Sequence, residues 1–118
     1  MDKFEPVVIL ISFPSDGDVK AFATALVSDG EAACVSVLPE MESVYRWQGV
    51  IEYACERQLV VKTTRARVQT LRDHLKTLHP YETPEFLVLP VADGGDDYLE
   101  WIRGAVGERN SGESRHKG

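Results

Sequence analysis

The sequence has 118 residues, of which 43% are hydrophobic and 27% charged, as expected for one soluble globular domain with its own core. The 13 Lys and Arg residues are outnumbered by 19 Asp and Glu residues, which gives a formal net charge of −6. Because an acidic surface repels a phosphate backbone, nucleic acid is excluded as an expected partner.

The first apolar run, Val7–Phe13, indicates neither a membrane anchor nor a secretory signal. It is far shorter than the roughly 20 residues of a membrane-spanning helix, and Pro14 closes it. A secretory signal has a basic leader, whereas Lys3 lies between Asp2 and Glu5. We therefore expect a cytoplasmic protein that does not engage the membrane.

The two cysteines, Cys34 and Cys55, are too few for a disulfide framework. Neither belongs to a CxxC pair or to a cluster with the ligand spacing of a zinc site. They are interpreted as reduced thiols.

The first two elements are predicted from apolar periodicity. Val7–Ile11 is a continuous, β-branched run that is typical of a central strand buried on both faces. After a turn at 14–17, apolar residues recur with the spacing of an amphipathic helix that Gly30 ends. These residues are Val19, Phe22, Ala23, Leu26 and Val27.

The middle of the chain is predicted to form a long antiparallel hairpin. Ala32–Leu38 is one short apolar strand, and Ser43–Trp47 is a second extended stretch after Pro39. Gln48-Gly49 supplies a turn, and Val50–Thr63 forms the return limb. We expect the hairpin to bend near Pro39.

A second helix is predicted to start at a cap formed by Thr63 or Thr64 and to end at His79, because residues before proline avoid helical angles. A final strand is expected over Glu85–Leu89. The helix presents a core face of four residues, namely Val68, Leu71, Leu75 and Leu78.

Beyond that strand, Asp96 or Asp97 is predicted to cap a short helix. One side of this helix carries Tyr98, Trp101, Ile102 and Ala105. Residues 107–118 lose all periodicity and are predicted to be a disordered polar tail, so that residues 1–106 form a single domain.

The predicted order of elements is strand, helix, two-stranded hairpin, helix and strand. This order is typical of an α+β ferredoxin-like sandwich, βαββαβ, here with a long central hairpin and a short C-terminal helix.

Several segments of the sequence resemble the CutA family of small proteins linked to divalent-metal tolerance. The resemblance extends over roughly residues 6 to 103. It rests on Ala32-Ala33-Cys34-Val35, Ser43–Gly49, Val61–Thr64, His79–Glu85 and Tyr98–Ile102, which occur in the same order as in the family.

The resemblance implies a PII-like homotrimer in which the long hairpins extend each sheet across the subunit boundaries. The sequence gives a physical reason for such an assembly. In a monomer, a long hairpin bearing Tyr45 and Trp47 exposes unpaired strand edges and aromatic surface, and pairing between subunits covers both.

The resemblance also implies a small-ligand cleft between subunits. A cation, an anion, aromatic rings and an imidazole gathered at an interface suit a concave ligand site. The residues placed there are Tyr45, Trp47, Lys62, His79, Tyr81 and Glu85. As an alternative, Lys62 and Glu85 form only a structural salt bridge.

The candidate metal ligands are His79 with Glu56 or Cys34, which would bind Cu²⁺ or a similar divalent cation weakly. Imidazole suits divalent copper, and His79 precedes a rigid proline turn. Cys34 has an alternative interpretation as an inert core thiol among small apolar residues.

Three functional classes follow from these residues. The first is a trimeric metal-tolerance protein, and the second is a PII-like sensor that binds a small anion or nucleotide in the intersubunit cleft. The third, an acid–base enzyme, ranks last because the sequence has no nucleophile–base pair, phosphate loop or diagnostic metal motif. We therefore expect a binding protein, with no tightly bound cofactor.

Overall fold

A computed structural model of the chain describes residues 2–107, which form one four-stranded antiparallel sheet and three α-helices. The sheet order is β2-β3-β1-β4. The elements are β1 (Pro6–Pro14), α1 (Val19–Ser28), β2 (Cys34–Trp47), β3 (Val50–Thr64), α2 (Val68–Leu78), β4 (Leu87–Pro90) and α3 (Asp96–Ala105). The predicted ferredoxin-like α+β class is confirmed. Of the predicted tail at 107–118, all residues but Gly107 lie outside the described residues.

Strand β1 is central, as its apolar composition predicts. It pairs with β3 on one side and with β4 on the other. Its odd-numbered residues Val7, Ile9 and Ile11 are completely buried and pack with residues of α1 and α2 in the hydrophobic core. Because side chains alternate along a strand, the even-numbered residues of β1 face away from these helices.

Helix α1 starts and ends where the sequence predicts. The Asp18 carboxylate accepts a hydrogen bond from the Ala21 amide at 3.0 Å, and Gly30 adopts a φ of 75° just after the helix. Val27 was predicted in the core, but it is 42% exposed. At 100° per residue it lies about 90° around the helix from the middle of the apolar stripe.

Helix α2 does not begin as predicted. The Thr63 hydroxyl donates to the Glu31 carbonyl at 2.7 Å, and Thr64 precedes a 3₁₀ turn over Arg65–Arg67 without capping through its side chain. Neither threonine therefore caps α2. Leu78 is exposed instead of buried, because the chain leaves the helix at His79, the predicted end.

The last two elements are shifted slightly from their predicted positions. Strand β4 begins at Leu87 instead of Glu85, and the N-cap of α3 is Gly95. Asp96 and Asp97 lie in the first turn of α3, where their negative charges interact favourably with the helix dipole. Neither residue is the N-cap of the helix. No helix within residues 2–107 is both long and apolar enough to cross a membrane.

The hairpin is more continuous than predicted. Strand β2 runs without a break through Pro39, and its pairing with β3 shifts in register between Val37 and Glu40, where the bend was expected. Gln48 and Gly49 have φ values of 48° and 82°, as a two-residue type I′ turn requires. Strand β1 ends opposite Glu56, so the hairpin beyond this residue is a two-stranded ribbon.

Candidate functional site

A groove of about 680 Å³ lies between the ribbon and the loop at 80–85. Its lining residues come from β1, the two strands of the hairpin and that loop. They are Ser12, Met41, Ser43, Tyr45, Trp47, Glu56, Gln58, Pro80, Tyr81, Glu82, Thr83, Pro84 and Glu85. Since Ser12 is an even-numbered residue of β1, the groove lies on the sheet face that points away from α1 and α2.

Glu56 and Tyr81 form a pair within the groove. The Glu56 side chain is only 7% exposed, and the Tyr81 hydroxyl is hydrogen-bonded to its carboxylate. Burial, and then the hydrogen bond and negative charge of Glu56, raise the pKa of Tyr81 well above its usual value. Tyr81 therefore stays protonated and keeps donating to Glu56 over the physiological range.

Glu85 is held by a second hydrogen bond that the sequence did not reveal. The Gln58 side-chain amide donates to a Glu85 carboxylate oxygen at 2.7 Å and to the Ile11 carbonyl at 3.0 Å. Gln58 was not predicted as a site residue. Its polarity beside the apolar residues at 59–61 is the one signal that marks it in the sequence.

Tyr45 and Trp47 line the groove from the ribbon, and both rings are partly accessible to solvent. They lie two residues apart and therefore on the same face of β2. With Tyr81 of the loop at 80–85, they give the groove three aromatic side chains among its described lining residues.

His79 is buried beneath this region instead of lining it. Its Nε2 atom lies 2.6 Å from the Ser12 carbonyl oxygen, and its Nδ1 atom accepts a hydrogen bond from the Tyr81 amide at 3.1 Å. Because Nδ1 accepts, Nε2 carries the proton and donates. The ring also packs against Phe13 and Tyr81 at centroid distances of 5.0 and 4.9 Å.

Lys62 lies elsewhere on the sheet. Its ammonium donates to the Ser36 hydroxyl at 2.7 Å and contacts the Cys34 sulfur at 3.8 Å. It is four residues from Gln58 along β3, or about 13 Å, and it is not among the lining residues of the groove. The alternative ion pair between Lys62 and Glu85 is not among the salt bridges of the described residues.

The three candidate metal ligands do not meet within one chain. Cys34 of β2 lies opposite Lys62 of β3 in the sheet. Lys62 is six residues along β3 from Glu56, so Cys34 is about 20 Å from Glu56. Tyr81 lies between the other two candidates: its ring packs against His79, and its hydroxyl is hydrogen-bonded to Glu56. Within residues 2–107, no group of three or more His, Cys, Asp or Glu side chains is arranged to hold a metal ion.

The fold and the groove define a small ferredoxin-like protein with an acidic, aromatic-lined groove beside a long hairpin. The CutA1 divalent ion tolerance protein family matches residues 7–105, and the chain belongs to this family. The divalent-cation tolerance protein CutA of Thermus thermophilus is 43% identical over 100 residues, which cover 85% of this chain and 97% of the relative. That of Pectobacterium atrosepticum is 42% identical over 102 residues, which cover 86% and 93% of the two chains.

Solved structures agree with this assignment. The Thermus thermophilus protein superimposes with a TM-score of 0.83 and 42% identity, covering 86% of this chain and 99% of that one. CutA1 of Oryza sativa gives a TM-score of 0.82 at 31% identity, covering 92% and 96%. The Archaeoglobus fulgidus protein, described as periplasmic, gives 0.80 at 33% identity, covering 86% and 98%. Both the family and these relatives are described by divalent-cation tolerance.

Proposed function

We propose that this protein acts in divalent-cation tolerance as a cytoplasmic homotrimer that binds Cu²⁺ or a similar cation weakly and catalyses no reaction. Membership of the CutA1 family supports the role in cation tolerance. The two free thiols, Cys34 and Cys55, suit a reducing compartment. The two-stranded ribbon of the hairpin has unpaired outer edges, which supports assembly with other subunits.

The charge of the groove is the observation that carries the proposal. Its lining includes three glutamates, Glu56, Glu82 and Glu85, and none of the described residues that line it is Lys or Arg. Such a groove attracts cations and repels anions. A PII-like sensor of a small anion or nucleotide is therefore the weaker alternative.

Within this groove, Glu56 is the proposed principal ligand of the cation, and His79, which packs against Tyr81, is the proposed imidazole ligand. His79 becomes a ligand only when Nδ1 gives up its hydrogen bond from the Tyr81 amide. A site with so few ligands from one chain is expected to be weak. In a homotrimer, a neighbouring subunit supplies further ligands.

Titration calorimetry with Cu²⁺ tests the site. We expect Glu56→Gln to weaken copper binding about tenfold, because the loss of one charged ligand is worth at least about 1.4 kcal/mol. Cys34→Ser is the matched control, and its affinity should equal that of the wild type because Cys34 is distant from Glu56. Unchanged affinity in Glu56→Gln would eliminate this site, and lost affinity in a folded Cys34→Ser protein would move it to the thiol.

The cellular role is tested by expression in a host that lacks its own CutA. We expect the wild-type chain to restore growth under Cu²⁺ challenge and Glu56→Gln to restore it less well at equal protein level. If a chain with wild-type copper affinity fails to restore growth, weak copper binding is not the basis of tolerance.

A further inference from the structure

The shape of the groove fits a small molecule better than a bare ion. Its volume of about 680 Å³ falls within the range of about 300–1,000 Å³ that is usual for small-ligand sites. The ribbon, the sheet and the loop at 80–85 all contribute lining residues.

Two carboxylates in the groove are fixed before any ligand arrives. The Tyr81 hydroxyl is hydrogen-bonded to Glu56, and the Gln58 amide donates to Glu85. Because a carboxylate has about four acceptor positions, both groups retain sites for a further donor. Glu56 lies two residues from Gln58 on one face of β3, about 7 Å away. Because Gln58 holds Glu85, the Glu56 and Glu85 carboxylates are separated along the groove.

The walls are aromatic. Tyr45 and Trp47 face the groove from the ribbon, and Tyr81 faces it from the loop. The faces of such rings attract cations and also pack against CH₂ groups. A ligand that joins a cationic nitrogen to a short carbon chain is therefore complementary to both features of the groove.

We propose that the groove binds a small organic cation with N–H donors, namely a primary ammonium or guanidinium compound. Spaced carboxylates and aromatic walls serve such a compound better than a divalent metal, for which no set of three ligands is gathered within residues 2–107. Charge complementarity selects it over an anion, since no Lys or Arg is among the described lining residues. This activity goes beyond divalent-cation tolerance and does not depend on copper binding.

Calorimetry on the full chain, dialysed against EDTA, tests the proposal with three four-carbon probes of different charge. Putrescine is the dication, 1,4-butanediol the neutral analogue and succinate the dianion. We expect putrescine to bind at least tenfold more tightly than 1,4-butanediol, because each charge-assisted hydrogen bond is worth at least this factor. Succinate should not bind. Two results would overturn the proposal. One is equal affinity for putrescine and 1,4-butanediol, and the other is that neither putrescine nor agmatine, its guanidinium analogue, binds.

Variants locate the site. Glu56→Gln and Glu85→Gln should each weaken putrescine binding about tenfold. Glu42→Gln is the matched control, because Glu42 is exposed between the lining residues Met41 and Ser43 and thus points to the opposite face of the ribbon. An equal loss in Glu42→Gln would show nonspecific attraction and overturn the site.

Nuclear magnetic resonance of the indole N–H groups gives a second measurement that needs no substitution. The chain has two tryptophans, and Trp47 lines the groove whereas Trp101 lies on α3. We expect putrescine to shift the Trp47 signal and to leave that of Trp101 unchanged. A groove filled by a neighbouring subunit would leave both signals unchanged, and that result also overturns the proposal. Copper binding is measured separately, so either proposal can fail alone.

Discussion

Individual residues in this protein show how burial changes the role that a sequence suggests. His79 has the chemistry of a metal ligand, but its two nitrogens are already used by the Ser12 carbonyl and the Tyr81 amide. It thereby ties the end of α2 to β1 and fixes the start of the loop that forms one wall of the groove. Its first effect is structural, and any role in metal binding requires that one of these bonds opens.

The candidate site could be predicted only in part, and the residues explain why. Tyr45, Trp47, Tyr81 and Glu85 were predicted from the resemblance, and all four line the groove. Gln58 and Ser12 were missed because their roles depend on how β1 and β3 pair, which no local pattern encodes. Lys62 lies on the same face of β3 as Gln58 but too far along the strand to reach the groove.

Tyr81 provides a prediction about alkaline pH. In the unfolded chain its hydroxyl ionises near pH 10, whereas in the folded protein its pKa is raised, chiefly by burial and then by Glu56. Above about pH 10, unfolding therefore releases a proton, and the free energy of unfolding falls as the pH rises. Tyr81→Phe lacks this contribution, so the stability advantage of the wild type over Tyr81→Phe should shrink with rising pH.

Denaturant unfolding of both proteins across the alkaline range measures this difference. Spectroscopic titration is the control: among the four tyrosines, one should ionise late in the wild type and be missing in Tyr81→Phe. A stability difference that is constant with pH would mean that Tyr81 has the same pKa in both states.

At the scale of elements, the sequence predicts most of the fold because most of its signals are local. The continuous β-branched run of β1, the apolar stripe of α1 and the turn at Gln48-Gly49 each depend on a few neighbouring residues. The errors lie at boundaries. Thr63 is a residue type that favours helix caps, but its hydroxyl donates to the carbonyl of Glu31, which is distant in sequence. Only the tertiary fold brings these two groups together.

The turn of the hairpin offers a paired test. Gly49 has a φ of 82°, and an added Cβ would meet no atom within 4 Å, so any cost of Gly49→Ala comes from the backbone angle alone. We expect Gly49→Ala to destabilise the protein by about 1 kcal/mol. Gln48→Asn should stabilise it slightly, because Asn-Gly is favoured in type I′ turns.

Thermal and denaturant unfolding of both turn variants measure these effects, with Gly104→Ala as the control. Gly104 also leaves open space for a Cβ, but it lies within α3 and its φ is not positive, so Ala should stabilise the helix there. If Gly104→Ala destabilises the protein as much as Gly49→Ala does, the positive φ of Gly49 is not the source of the strain.

For the whole molecule, the ribbon is the feature that a single chain does not account for. On its face opposite the groove, Val44, Ile51 and Tyr53 are 60%, 52% and 66% exposed. Val44 and Tyr53 are directly paired across the two strands, so their side chains form one continuous apolar surface. Exposed apolar surface beside unpaired strand edges is typical of a subunit interface.

We therefore expect the protein to sediment as a homotrimer of about 40 kDa, three times the chain mass of 13.2 kDa. Val44→Asp and Tyr53→Asp should each shift the equilibrium towards monomer, because assembly would bury an unpaired carboxylate. Val27→Asp is the control, since Val27 is 42% exposed on α1 and away from the ribbon. Analytical ultracentrifugation of the four proteins decides: a wild-type monomer at micromolar concentration, or trimers in both ribbon variants, would show that the ribbon is not the interface.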